Sequence, residues 1–311
     1  MKLWIDTDPG VDDALALLMA FAHPDADVLG LGIVGGNVGL DACTGNALKL
    51  LDAIGRDGVP VHVGAGDPLL PPLANDAGHV HGRDGFGDIG SRPSRRTPAA
   101  GHAAQALIDA TLRHPGEVLL VTLGPLTNFA LALSLDPGLA ARLAGWVCMG
   151  GAVTGHGNTE YLTSEFNVAF DPEAAEICFA RGPRAIVVDW ELVCRHGVPL
   201  EEFEQWLDAD TPAARFYRAI SRKTRAFYRE HERNEFAPAD ALAMTVVLDE
   251  AAALERQSRP LKVELSGALS RGQTVVDWNR RSGRPDNADL VMAVDIQRHR
   301  ALLRMALGLP A

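Results

Sequence analysis

The sequence predicts an α/β fold with a mostly parallel, Rossmann-like central sheet flanked by helices. Short apolar runs typical of buried strands alternate with longer segments in which apolar residues recur at helical spacing. The first strand is predicted over residues 3–5 and the first helix over 12–21. Strands that alternate with helices form parallel sheets through right-handed crossovers. At 311 residues and 47% hydrophobic content, we expect one domain over residues 1–311.

Two segments interrupt the alternation of strands and helices. Residues 67–98 are rich in Gly, Pro, Asp and His without either period, which favours a loop beside a functional site. Residues 201–232 carry charges and aromatics in a pattern typical of long amphipathic helices, which we expect to cap the site. The remaining predicted strands are 28–34, 118–122, 146–149, 184–188, 262–265, 274–277 and 291–295, and the remaining predicted helices are 40–54, 126–135 and 172–180.

Charge and hydropathy exclude several classes of function. A net charge of −11 opposes binding to nucleic acid or to an anionic membrane, because both require a positive surface. The longest apolar stretch, residues 14–22, is too short to cross a bilayer, and we expect no signal peptide. The four cysteines lack the close pairs of a zinc or redox motif. We therefore expect a cytoplasmic enzyme that acts on a small molecule.

Four carboxylates crowd the turn between the first strand and the first helix. They belong to Asp6, Asp8, Asp12 and Asp13, with a Pro-Gly pair between them. Carboxylates a few Å apart cannot all stay ionised in a partly buried site unless a cation compensates their charge. In open α/β sheets this turn lies at the carboxyl end of a strand, where ligands bind. Helix capping accounts for one or two such side chains but not for four, so the cluster favours a divalent metal site.

Polar side chains also follow other predicted strand ends. Asn37 ends the second strand, and Thr127 and Asn128 follow a later one. Asn158 precedes the run Glu165-Phe166-Asn167. Taken singly, each is commonly a turn or a helix cap. Together they offer amides and carboxylates suited to the hydroxyl groups of a polyol.

Together these residues closely resemble the nucleoside hydrolases, a family of inosine-uridine preferring nucleoside N-ribohydrolases. The opening Asp-x-Asp-Pro-Gly-x-Asp-Asp string is highly specific for that family, and the resemblance covers nearly the whole chain. It implies hydrolysis of the N-glycosidic bond of ribonucleosides to ribose and free base, a role in purine and pyrimidine salvage, and a homodimer or homotetramer. Further matching segments are 35–37, 123–128, 149–151, 165–167, 171–175 and 274–277.

The resemblance also implies a calcium site. Calcium would be bound by the carboxylates of Asp8, Asp13 and Asp240 and by the backbone carbonyl of Leu123. Oxygen ligands of this kind are those that a hard divalent cation prefers.

The resemblance further implies how the ribose is held and attacked. Asp8 would act as general base towards the attacking water, while Asp12 and Asn37 would hold the ribose near its 2′-hydroxyl. Cleavage builds a ribosyl cation, which surrounding carboxylates and carbonyls stabilise more than they stabilise the neutral substrate. The side of the 3′- and 5′-hydroxyls would be bound by Asn158, Glu165 and Asn167.

One position departs from the family pattern. Many members carry a histidine immediately before the last metal aspartate, whereas this chain has Ala239 before Asp240. Alanine cannot donate a proton to the departing base. His81 is our candidate for that catalytic role, and we expect His79 to be a solvated loop residue.

Three alternatives remain open on the sequence alone. The small Ala239 side chain also suits the same chemistry on a modified or unusual nucleoside. A non-catalytic ribose- or calcium-binding homologue is a second alternative, but retention of the whole aspartate set favours an enzyme. A phosphotransferase is the weakest alternative, because it needs a phosphate-binding lysine in a Gly-rich loop and the sequence has none in such a loop.

Overall fold

A mostly parallel sheet forms the middle layer of the molecule. The computed structural model describes residues 1–70 and 78–310. Their strands are β1 (Lys2–Thr7), β2 (Asp27–Ile33), β3 (Val61–Val63), β4 (Val118–Thr122), β5 (Leu143–Met149), β6 (Ala185–Val188), β7 (Val198–Pro199), β8 (Glu235–Phe236), β9 (Ala253–Arg259), β10 (Leu261–Val263), β11 (Thr274–Val276) and β12 (Ala288–Val294). Within this part of the chain the central sheet has the order β3-β2-β1-β4-β5-β6-β12-β9, and only β9 runs antiparallel to its neighbour. The predicted α/β class is confirmed.

Helices cover both faces of this sheet. They are α1 (Val11–Ala22), α2 (Leu40–Ala53), α3 (Gly78–His81), α4 (Ala103–Arg113), α5 (Thr127–Leu135), α6 (Leu139–Arg142), α7 (Phe166–Phe170), α8 (Pro172–Arg181), α9 (Trp190–Val193), α10 (Leu200–Trp206), α11 (Pro212–Ile220), α12 (Arg222–Glu230), α13 (Ala239–Leu248) and α14 (Ile296–Ala306). Successive side chains of a strand point to opposite faces. Leu3 and Ile5 of β1 therefore pack with α1, α2, α13 and α14, whereas Trp4 packs with α4, α5 and α8. Burial on both faces explains why the strands are apolar throughout rather than alternating.

A cap of short helices lies beside the carboxyl ends of the strands. It consists of α10, α11 and α12, and the hydroxyl of Thr224 ties it to α3 by donating to the Val80 carbonyl at 3.0 Å. The long amphipathic helices expected over 201–232 are divided into three. Pro212 begins α11 because its fixed φ suits a first helical position, and Ser221 separates α11 from α12.

The differences from the predicted elements lie mainly at the sheet edges. Edge strand β3 has three residues, and the opposite edge strand β9 is largely polar because it is partly exposed, so neither gave an apolar signal. The segments predicted at 262–265 and 274–277 pair with each other as β10 and β11, outside the central sheet. Helices α4 and α13 were not predicted.

The predicted loop over 67–98 is described only in part. Residues 71–77 lie outside the described residues, as does the side chain of His79, so the expectation for that histidine stays a prediction. Residues 78–81 form α3, which brings His81 towards the carboxyl end of the sheet. No helix in the part of the chain that the structure describes is long and apolar enough to cross a membrane.

Candidate active site

The turn from β1 into α1 is organised around the carboxylate of Asp13. This residue is the third position of α1, where its Oδ2 accepts the Gly10 N–H at 2.9 Å, and its Oδ1 accepts the Thr7 hydroxyl and the Asp8 N–H. Asp13 is fully buried. Helix capping therefore explains part of this cluster, as the alternative interpretation of the sequence expected.

Asp8 is held in place by the loop that follows β2. Its Oδ2 accepts the backbone N–H of Asn37 at 2.7 Å, and the Asn37 side-chain amide donates to the Asp8 carbonyl at 3.2 Å and to Asp13 Oδ2 at 3.0 Å. The Asp8 carboxylate lies against Gly36 and Gly124, where an added Cβ would come within 2.1 and 2.4 Å of its oxygens. Glycine is thus required at both positions because the backbone approaches the carboxylate closely.

Asp240 joins this cluster from the first turn of α13. Oxygens of Asp12, Asp13 and Asp240 lie within 4.8 Å of one another, and such a group can hold a metal ion. The predicted ligand set named Asp8 in place of Asp12. Among the described residues, Asp8 Oδ1 and Asp12 Oδ1 are both buried without a hydrogen-bond partner. Two buried carboxylate oxygens without donors fit a cation that is shared by the whole cluster.

Burial raises the pKa values of these four carboxyl groups, and repulsion from neighbouring carboxylates adds to it for Asp8, Asp13 and Asp240. Burial raises the pKa of Asp12 to about 6. Burial, with the neighbouring carboxylates adding to it, raises the pKa of Asp8 and Asp240 well above the usual value and also raises that of Asp13. The cluster resists ionisation at neutral pH unless positive charge is supplied.

A second wall is built where α7 begins. Glu165 caps this helix by accepting the Asn167 N–H at 2.9 Å, and it also accepts the Gly151 N–H at 2.9 Å. The Asn167 side-chain amide donates to the Leu123 carbonyl at 2.7 Å. Asn158 is exposed and accepts the Phe166 N–H at 2.9 Å. Burial raises the pKa of Glu165 to about 7.

His81 lies at the edge of the aspartate cluster. Its Nδ1 accepts the Val11 N–H at 3.1 Å and lies 3.7 Å from Asp12 Oδ1. A neutral imidazole that accepts through Nδ1 carries its proton on Nε2. His81 can therefore donate a hydrogen bond from Nε2.

A cavity of about 230 Å³ is lined by several of these groups, and the buried Asp8 and Asp13 are not among its lining residues. The predicted residues Asp12, Asn37 and His81 line it together with Leu123, Asn158, Glu165, Asn167 and Asp240. Ala239, which directly precedes Asp240 in α13, and several aromatic residues also line it. The sequence did not predict an aromatic lining, which is formed by Phe166, Trp190, Phe227, Tyr228 and Phe236.

Thr127 and Asn128 do not line this cavity, although the sequence placed them among the candidate polyol contacts. The hydroxyl of Thr127 donates to Asp171 at 2.7 Å, and the Asn128 amide donates to both oxygens of Asp6. Burial raises the pKa of Asp6 to about 8 despite the Asn128 hydrogen bond. Thr127 and Asn128 therefore stabilise the structure next to the cavity, and they begin α5, as the alternative of a helix start expected.

Comparison with known proteins identifies the family. The family model described as inosine-uridine preferring nucleoside hydrolase matches residues 3–301. The chain belongs to the nucleoside hydrolase family. It is similar to the inosine-uridine preferring nucleoside hydrolase of Leishmania major, with 34% identity over 95% of this chain and 93% of that protein.

Solved structures of nucleoside hydrolases share the fold over the full chain. A structure described as inosine-guanosine nucleoside hydrolase superposes with a TM-score of 0.93 and 31% identity, covering 100% of this chain and 99% of that one. A purine-preferring ribonucleoside hydrolase from Gardnerella vaginalis gives a TM-score of 0.90 and 27% identity, covering 99% and 98%. The resemblance seen in the sequence is confirmed, and this nucleoside hydrolase is an enzyme of the ribonucleoside N-ribohydrolase class.

Proposed function

We propose that this enzyme hydrolyses the N-glycosidic bond of ribonucleosides in a calcium-dependent reaction, giving ribose and free base. The observation that carries the proposal is the pair of buried carboxylate oxygens, Asp8 Oδ1 and Asp12 Oδ1, that lack hydrogen-bond donors among the described residues. Asp12 and Asp240 line the cavity, and Asp8 lies close enough to Asp12 and Asp13 for their charges to interact. A cation and a sugar hydroxyl are the partners that such oxygens require.

Calcium is the metal that the donor set favours. Asp8, Asp13 and Asp240 would bind it through carboxylates and Leu123 through its carbonyl, with the nearby Asp12 in position to contribute. An all-oxygen set of this kind suits a hard cation rather than zinc. When bound, calcium supplies the positive charge that neutralises the cluster and polarises the attacking water.

Asp8 is the proposed general base. The Asn37 N–H holds Oδ2, which leaves Oδ1 available to take a proton from the attacking water. Asp12 and Asn37 are proposed to hold the ribose near its 2′-hydroxyl. Burial raises the pKa of Asp8 well above its usual value, and a bound cation would favour the ionised form that can accept a proton.

The opposite wall is proposed to bind the 3′- and 5′-hydroxyls through Asn158, Glu165 and Asn167. As the bond to the base breaks, positive charge builds on the ribose, and Glu165 stabilises this charge when ionised. The Asn167 amide is oriented by the Leu123 carbonyl, which couples this wall to the proposed calcium site. The reaction is accelerated because the site would bind the positively charged ribosyl group of the transition state more tightly than the neutral substrate.

His81 is the proposed donor to the departing base. It lines the same cavity as Ala239, and its Nδ1 is occupied by the Val11 N–H, so Nε2 carries the proton in the neutral ring. A second candidate function is the same reaction on a modified or unusual base. Ala239 favours it, because a small side chain among the lining residues leaves space in the cavity.

The deciding experiment uses metal-stripped protein and a panel of purine, pyrimidine and modified ribonucleosides. We expect release of ribose and free base after calcium is restored and none with chelator present. Release from modified nucleosides alone would select the second candidate. An equal turnover rate with and without chelator would contradict the proposed calcium site. Binding of the nucleosides without release of ribose or base would contradict the proposed hydrolysis.

Two further expectations concern the setting of the enzyme. A homodimer or homotetramer and a cytoplasmic location are proposed from the family resemblance alone. Light scattering of the purified protein and cell fractionation would test them.

A further inference from the structure

The loop over residues 151–158 begins with the buried residues Ala152 and Val153 and becomes exposed at alternate positions from Thr154 onward. Thr154, His156 and Asn158 are all exposed along it, so they bury little apolar surface that could hold the loop in place. Asn158 at its end nevertheless lines the cavity. Polar contacts are therefore needed to hold this exposed part of the loop.

Glu191 supplies such contacts. Its carboxylate is 8% exposed and accepts four hydrogen bonds from the loop. Oε2 accepts the Thr154 N–H at 2.8 Å, and Oε1 accepts the Thr154 hydroxyl at 2.8 Å. Oε1 also accepts the His156 N–H at 2.7 Å and contacts His156 Nδ1 at 3.2 Å. Charge-assisted bonds of this kind to a buried carboxylate are among the stronger polar contacts in proteins.

The two residues before Glu191 hold the same loop. Asp189 accepts the Val153 N–H at 3.1 Å, and the Trp190 N–H donates to the Gly151 carbonyl at 2.9 Å. The Trp190 side chain lines the cavity. Residues 189–191 thus form hydrogen bonds with the loop at several positions between Gly151 and His156.

Beyond His156 the chain leads directly to Asn158. The Asn158 N–H donates to the Ser164 carbonyl at 3.1 Å, and its side chain accepts the Phe166 N–H at 2.9 Å. Only one residue separates His156 from Asn158, so the position of His156 acts on Asn158 through the backbone in addition to these two contacts, at a distance in sequence from the aspartate cluster.

We propose that Glu191 is a positioning residue that sets substrate affinity by placing Asn158 against the 5′-hydroxyl side of the ribose. This inference rests on the proposed function, which assigns Asn158 to that side. Glu191 touches neither the reacting bond nor the cluster, so its contribution is to binding of the ground state and the transition state alike. Loss of such uniform binding raises KM and leaves kcat nearly unchanged.

The test compares wild type and Glu191→Gln on a ribonucleoside and on its 5′-deoxy analogue. Glutamine keeps the shape, but its amide nitrogen cannot accept the hydrogen bonds that a carboxylate oxygen accepts. We expect KM for the ribonucleoside to rise about tenfold with kcat changed less than about twofold. On the 5′-deoxy analogue the two proteins should have equal KM, because the hydroxyl that Asn158 binds is missing. Adding Glu191→Gln to Asn158→Ala should raise KM no further.

Glu173→Gln is the matched control. Glu173 is a partly buried carboxylate that binds Arg271 away from the cavity, so its kinetics should equal those of wild type. An unchanged KM for Glu191→Gln, or an equal loss on both substrates, overturns the inference. If Glu191→Gln fails to fold, Thr154→Val decides, since Thr154 is exposed and the change removes one bond to Glu191. It should raise KM about threefold on the ribonucleoside alone. Release of ribose and free base by the wild-type enzyme tests the proposed function separately. Failure of the proposed function can therefore be distinguished from failure of the inference about Glu191.

Discussion

The aspartate cluster and the aromatic lining of the cavity are built in different ways. Around the aspartate cluster, Asp8, Asp13 and Asn37 come from two adjacent strand ends and interlock through buried hydrogen bonds. In the aromatic lining, Phe227 and Tyr228 belong to α12 of the cap, far along the chain from that cluster. Under the proposed function, most of the aspartate cluster would thus follow strand ends of the sheet, whereas Phe227 and Tyr228, which would face the base, belong to a separate element. Family chemistry can then persist while base preference changes.

The largest expected effect comes from removing one charge from the aspartate cluster. Asp240→Asn keeps the shape of the side chain but lowers the negative charge that the proposed calcium neutralises. Loss of several kcal/mol of charge stabilisation corresponds to a fall in kcat/KM on the order of 1000-fold or more. Kinetics and calcium titration calorimetry would check it.

Asp210→Asn is the control for that variant. Asp210 is an exposed carboxylate, and its one salt bridge within the described residues is with the exposed Arg215. Removing its charge should therefore change neither the kinetics nor the calcium affinity. Wild-type calcium affinity in Asp240→Asn would contradict the proposed ligand set and would remove the distinction drawn between the two regions.

His81 lies beside the aspartate cluster and lines the same cavity as the aromatic residues, so His81→Ala probes the link between the two regions. Loss of a proton donor costs on the order of 100-fold in kcat on common nucleosides. The loss should be much smaller on p-nitrophenyl ribofuranoside, whose leaving group departs without protonation. His114→Ala, at the end of α4 away from the cavity, is the control. Equal rates for wild type and His81→Ala on every nucleoside would remove His81 from the mechanism.

The contrast between the two regions also explains what could be predicted from sequence. Asp8, Asp12 and Asp13 are neighbours in the chain, and their density has a physical cause that a reader of the sequence can recognise. Trp190 and Phe227 carry no such local signal, since an aromatic residue in a helix is usually core. Their place in the cavity depends on how the cap packs against the sheet. The edge strands β3 and β9 were missed for a related reason, because partial exposure removes the apolar pattern.

A smaller effect is expected in the pH dependence of the free energy of unfolding, which depends on the buried carboxyl groups. Burial raises the pKa of Asp12 to about 6, of Glu165 to about 7 and of Asp6 to about 8. These groups bind protons more tightly in the folded protein than in the unfolded chain. Their contribution to the free energy of unfolding is therefore present at low pH and is lost as pH rises through the folded-state values.

Calcium-free protein should lose on the order of a few kcal/mol of unfolding free energy between about pH 5 and about pH 8. Saturating calcium should remove the part of this loss that comes from the cluster, because the ion binds the ionised carboxylates. The part from Asp6 and Glu165 should remain, since neither is a proposed ligand. Denaturant unfolding of metal-stripped and calcium-loaded protein would measure both slopes. A metal-free protein that gains stability over this range would mean that the cluster is ionised without a cation, and the case for calcium would then lose its electrostatic basis.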